Sequence, residues 1–182
     1  MNPAFEKGIK KINAQLDEVI ERAGKYSHQQ LNFKPSKSEW SIMQVFQHMI
    51  MAETNTNIYL RKKILGGNQL EEAGIWTNIK TALLRGFMYT PLKFKAPPGV
   101  DVKMDEEHDF EELVKEWRHQ RNEIISFLSV LDDSMANKIL FKHGIGIKMN
   151  LEQMLQWMFV HLDRHSSQID NIIKHPRFPS SL

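Results

Sequence analysis

Apolar residues recur every three or four positions along four separate stretches of the chain, each about 20 to 27 residues long. On that period a side chain returns to the same face of an α-helix. The first stretch, Pro3 to Tyr26, carries Phe5, Ile9, Ile12, Leu16, Val19, Ala23 and Tyr26 on one side. Asn2 followed by Pro3 suits its start, because proline at the first helical position gives up an N–H that has no partner there. The second begins at Ser41 and Gln44, which have capping-box spacing, with Trp40 positioned to staple onto Val45. It runs to Leu65 and stops at Gly66-Gly67. The third spans Asp105 to Leu131, with Phe110, Leu113, Trp117, Ile124 and Leu131 on a stripe. The fourth starts at Asn150, again with a capping partner at Gln153, and runs to Lys174 before Pro176 ends it. Four rods of roughly 30 to 40 Å, with almost no β-type alternation, predict an all-α four-helix bundle.

The connections refine that expectation. About thirteen residues separate the first two helices and about eighteen the last two, whereas residues 66–104 join the second to the third. That long connection contains its own amphipathic piece, with Ile75, Trp76, Ile79, Leu83, Leu84, Phe87 and Met88 at helical spacing, followed by an extended run from Pro91 to Gly99. Its length fits a crossover that makes helices two and three parallel. Its basic residues Lys80, Arg85, Lys93 and Lys95 read as a solvated surface, with a basic lid over an anionic substrate as the alternative. There is no repeat or low-complexity linker, so a single domain over residues 1–182 is expected.

Composition narrows the function classes. The 24 Lys and Arg against 22 Asp and Glu leave a net charge of +2, with no basic tract to suit nucleic acid. No run is apolar for the roughly 18 to 20 residues that span a bilayer, and the charged start resembles no signal peptide, so a cytoplasmic protein is expected. With no cysteine, neither a disulfide, a thiolate ligand nor a Cys nucleophile is available.

The fourth helix breaks the pattern of a plain core. Its inward stripe reads Leu151, Met154, Met158, His161, His165, Gln168, Ile172, with polar groups where the bundle axis should be apolar. Imidazoles four residues apart lie about 6 Å from one another on one face, which suits joint ligation of a metal ion. The second helix has a similar stripe in Val45, His48, Ala52, Asn55 and Tyr59. His48, His161 and His165 are therefore the candidate metal ligands. Three imidazoles leave a coordination position open, as in sites built for chemistry. Gln168, Asn55 and Tyr59 are candidates to support a ligand or touch substrate. His28, His108, His119, His143 and His175, in loops, near ends or among charges, receive no such role. Asp163 points away from His161, and Glu53 sits about 140° round its helix from His48, so neither carboxylate serves as a proton shuttle. The alternative is that the three histidines are buried, neutral core residues with no metal.

These residues resemble a known family. Trp40-Ser41 with His48 seven residues on, the run His161-xxx-His165-xx-Gln168, the tail through His175-Pro176-Arg177-Phe178-Pro179 and the long crossover are similar to the DinB-like superfamily of metal-binding four-helix bundles. The resemblance implies that His48, His161 and His165 bind a divalent transition metal, zinc or nickel first. Gln168 matches the family's H-x-x-x-H-x-x-Q. The frequent His-Glu-x-x-His form is replaced by Leu162-Asp163. Family members include thiol S-transferases that join bacillithiol, mycothiol or glutathione to an electrophile, a maleylpyruvate isomerase and metal-dependent hydrolases, often as homodimers. The expectation is transfer of a small thiol to an electrophile by a metal-activated thiolate, on a small-molecule substrate and in a homodimer. The alternatives are a hydrolase using metal-bound water, or a non-catalytic metal-binding bundle.

Overall fold

The computed structural model describes residues 3–66, 69–90 and 108–180. Among the described residues there are six α-helices: α1 (Pro3–Ala23), α2 (His28–Leu31), α3 (Ile42–Leu65), α4 (Ile75–Met88), α5 (Phe110–Ser129) and α6 (Leu151–Ile173). The four expected rods are α1, α3, α5 and α6. Their caps explain their bounds. Ser41 with Gln44, and Asn150 with Gln153, form complete capping boxes at the starts of α3 and α6. Asp109 accepts from the Glu112 N–H at 3.0 Å, so the described part of α5 begins at Phe110. The expected start at Asp105, the Asn2 cap and the extended run at 91–99 lie outside the described residues.

The apolar stripe of α1 from Phe5 to Ala23 is buried, as its periodicity predicts, whereas Tyr26, expected at its end, lies beyond the helix and is half-buried. Residue pairs give the directions. Phe46 meets Phe110 and Trp117, Glu53 meets Trp117 and Arg121, and Arg61 pairs with Glu123, so α3 and α5 run parallel, as the crossover implies. Gln15 donates to the Phe159 carbonyl and Arg22 pairs with Asp170, so α1 and α6 are also parallel. Trp40 against His165 and His48 against His161 set α3 antiparallel to α6.

The connection between α5 and α6 is not plain coil. Phe141–Lys142 and Lys148–Met149 form a two-stranded antiparallel hairpin, with Phe141 opposite Met149. Gly146 at φ 90° makes the turn in a region that L side chains rarely adopt. Strands of two residues are too short to show alternation, so periodicity does not detect them.

Two apolar clusters fill the bundle. One joins the first half of α1, the ends of α3 and α5, the hairpin and the first half of α6. The other joins the second half of α1, the start of α3, α5 and the end of α6. Polar side chains occupy the level where they meet, including His161 between Val160 of one cluster and Leu162 of the other.

Candidate metal centre

His48 sits two turns inside α3, while His161 and His165 lie one turn apart on α6, and all three are buried. One ring nitrogen from each lies within 4.8 Å of the others. The His161 and His165 Nε2 atoms are 3.2 Å apart. A tetrahedral ion with bonds of about 2.0 to 2.1 Å holds its ligand nitrogens about 3.3 Å apart, so this pair fits an ion with little adjustment. Gln168 Oε1 lies 2.9 Å from His165 Nδ1. Since the amide oxygen can only accept, Nδ1 carries the proton and the Nε2 lone pair of His165 is left facing inward.

Burial sets the charge state. It holds the His161 pKa well below 6.5, with the neighbouring His165 and His48 adding to the effect, and it brings His165 from 6.5 to about 3. Both rings are therefore neutral near pH 7, the form that donates a lone pair. The unfolded chain takes up protons first as pH falls, because both folded pKa values lie below the unfolded one. Metal-free protein is expected to lose stability as pH falls from about 6.5 toward the His165 value of about 3, with protonation of His161 adding to the loss, and to show no such slope above pH 6.5. Denaturant titrations in a chelator at about pH 7.5 and 5 measure it.

The surroundings are aromatic. Trp40 lies 4.9 Å from His48 and 6.3 Å from His165, ring centre to ring centre, its indole turned toward these imidazoles instead of serving only as the expected staple. Trp157 stacks on His161 at 4.9 Å, with Phe141 and His143 of the hairpin against its other sides. Trp157 precedes His161 by four residues, so the helical period alone puts it on the same face. His143 received no role from the sequence. The hairpin nonetheless brings it beside Trp157, and burial lowers its pKa.

Not every candidate converges. Asn55 is exposed, and Tyr59 packs edge-on to Phe141, 11 residues or about 16 Å along α3 from His48. Beyond Ala52 the buried side of α3 is Glu53, Thr56, Asn57 and Leu60, which continue the stripe of Phe46 and Met49 that meets α5 at Trp117 and Arg121. Asp163 lines a groove shared with α1, alongside Lys11, Gln15 and Ser166. Glu53 is fully engaged: it accepts two bonds from Arg121, at 2.8 and 2.5 Å, and one from the Trp117 indole at 2.8 Å.

The sequence profile of the DinB superfamily matches residues 11–169. This chain belongs to the DinB superfamily. A search of curated proteins finds no match. Among solved structures, the DinB-superfamily chain is similar to YfiT from Bacillus subtilis, described as "a probable metal-dependent hydrolase with an unusual four-helix bundle topology". The two share 12% identity over 96% of this chain and 89% of that one, with a TM-score of 0.62. At that identity the likeness speaks for the fold. The parallel pairs α1 with α6 and α3 with α5 give this DinB-superfamily bundle an order that a simple up-and-down bundle lacks. No described helix is long and apolar enough to cross a membrane.

Replacing Gln168 by leucine removes the acceptor that orients His165 while keeping its bulk. Metal affinity is expected to fall about 10- to 100-fold, read by competition with a chromophoric chelator, with the helical circular dichroism spectrum unchanged.

Proposed function

We propose that the chain is a metal-dependent enzyme in which His48, His161 and His165 hold a divalent transition ion, zinc or nickel, and that a small thiol is joined there to an electrophile. The convergence of three inward imidazole nitrogens from two helices carries the reading. Three nitrogen donors leave a position for a further ligand. When bound, such an ion lowers the pKa of a thiol or water that it holds. The remaining work falls to side chains. Gln168 fixes the tautomer of His165, and burial keeps the rings in their donating form. The indoles of Trp40 and Trp157 pack against the imidazoles and exclude water from them, and Trp40, the less buried of the two, offers planar apolar surface to an electrophile. In the transfer the thiol S–H bond breaks and its proton passes to solvent. Sulfur then bonds to the electrophilic carbon, and the leaving group departs with its electron pair.

The disposition of Glu53 and Asp163 favours transfer over amide hydrolysis. A thiolate needs no carboxylate to deliver it, whereas an amine leaving group needs a proton donor. The likeness to YfiT, described as a hydrolase, favours the second reading, cleavage of a small ester or amide by activated water. One experiment separates them. Protein purified without a nickel column is analysed for metal, then offered monochlorobimane with glutathione, bacillithiol or mycothiol, and separately offered esters and amides. Bound metal with thiol conjugation above background is the expected result. Hydrolysis alone selects the second reading, bound metal with neither activity makes the bundle non-catalytic, and protein without metal overturns both.

A further inference from the structure

The residues that follow α6 lie on the segment that leads to Trp40. Trp40 immediately precedes Ser41, the N-cap of α3. Its half-buried indole packs against His48 and lies near-parallel to the His165 ring, at 18°. The Ser41–Gln44 capping box fixes the backbone on one side of it. On the other side, residues 32–39 form turns and bends, with no helix or strand to hold their course. Such a segment keeps one conformation only where other parts of the molecule grip it.

Residues 175–179 supply that grip. Phe178 meets Tyr26 and Phe33 edge-on, with ring centres 5.5 and 5.6 Å apart, and His175 lies 5.6 Å from Phe33. Arg177 donates from Nη2 to the carbonyl of Pro35, a buried residue shortly before Trp40. Gln30, also buried, accepts the Ser27 N–H at Oε1 and donates from Nε2 to the Pro179 carbonyl at 2.8 Å. The tail is kept in shape by bonds of its own. The Phe178 N–H donates to the His175 carbonyl at 2.8 Å, and the Arg177 N–H to His175 Nδ1 at 3.2 Å. Contacts that merely closed the end of the bundle would fall on its helices, whereas the Arg177 bond falls on the loop, 142 residues away in sequence. Only four residues separate Pro35 from Trp40, and so short a piece of chain is stiff enough to pass a shift of one to the other.

We infer that Arg177 and Phe178 are positioning residues: the tail clasps residues 32–39 and thereby sets Trp40 against His48 and His165. Helix α6 then provides two of the candidate ligands and, through its tail, the placement of the indole beside them. That the clasp also governs how an electrophile fits against Trp40 rests on the function proposed above. The placement of Trp40 does not.

Two measurements test it. The first is fluorine NMR of protein labelled with fluorotryptophan, metal-free in a chelator, where Trp40→Phe assigns the Trp40 signal among the four tryptophans. Arg177→Ala and Phe178→Ala are expected to shift or broaden that signal and to leave that of Trp76, on α4, in place. Arg177→Lys, which keeps a donor for the Pro35 carbonyl, is expected to stay near the wild type. The second is steady-state kinetics of metal-loaded protein with monochlorobimane and a small thiol. Each alanine variant is expected to raise the KM for monochlorobimane about tenfold, with kcat changed less than about twofold. Trp40→Ala is expected to do the same, and Trp40→Ala/Arg177→Ala to be no worse than Trp40→Ala alone, because the clasp acts through Trp40. If Phe178→Ala does not fold, Arg177→Ala, which removes an exposed side chain, carries both tests. A Trp40 signal that the tail variants leave unmoved overturns the inference, and so do effects that multiply in the double variant. A wild type that conjugates no thiol defeats the proposed function instead, and the fluorine spectra still decide the placement of Trp40.

Discussion

Protein carrying His161→Ala is expected to emerge from a desalting column without metal, while the wild type retains it. Zinc affinities of about 10 to 16 kcal/mol in four-ligand sites allot roughly 3 kcal/mol to each ligand, so losing one of three weakens binding by about a hundredfold or more. His161 is the informative choice because its Nε2 faces that of His165 at 3.2 Å and its ring is stacked on Trp157. The same variant has a second signature. It removes one of the three rings whose pKa burial lowers, His143 and His165 being the others, so the fall in metal-free stability below pH 6.5 should become shallower. A histidine that only filled space would change packing, with no loss of bound ion to accompany it. Unchanged metal content in the purified variant would remove the basis for the whole functional reading.

The largest expected effect on stability lies away from the histidines. Arg121 and Glu53 are 2% and 3% exposed, and Arg121 also donates from Nη1 to the Ile12 carbonyl at 2.6 Å. Three helices, α1, α3 and α5, thus meet on one guanidinium. All the named groups are paired, which is the condition under which a buried ion pair persists. Replacing Arg121 by alanine leaves a buried carboxylate with only the Trp117 indole and opens a cavity, at an expected cost of about 3 to 5 kcal/mol. That is a large part of the 5 to 15 kcal/mol typical of a domain, so urea denaturation should show a much lower midpoint or no folded baseline. The pair Glu53→Gln/Arg121→Met, which removes both charges at similar volume, should recover most of the loss. If the double variant were as unstable as Arg121→Ala, the cost would belong to packing and not to the orphaned charge.

Glu53 shows why the centre was only partly legible. Its position five residues after His48 makes it a poor proton shuttle, and the structure agrees. Its actual partner, Arg121, is 68 residues away, and no local pattern announces it. Asn55 and Tyr59 show the converse, lying away from the three rings. They continue the His48 stripe faithfully, yet a stripe states only which side of a helix a residue is on, not how far along that side the neighbouring helix reaches.

What the chain determines by itself is whatever depends on backbone period and on short-range hydrogen bonds. This covers the four rods, the capping boxes at Ser41 and Asn150, the shared face of His161, His165 and Gln168, and the inward turn of His48. These follow from 3.6 residues per turn, a rule each segment obeys without reference to the others. What the tertiary structure decides is every relation between segments: the ring geometry around His161, the hairpin that brings Phe141 and His143 to Trp157, the ion pair of Glu53 with Arg121, and the exposure of the outer side of α4. Those depend on the rotation and axial offset of one helix against the next, which are set by side chains interlocking across the whole core and not by any stretch of sequence read alone.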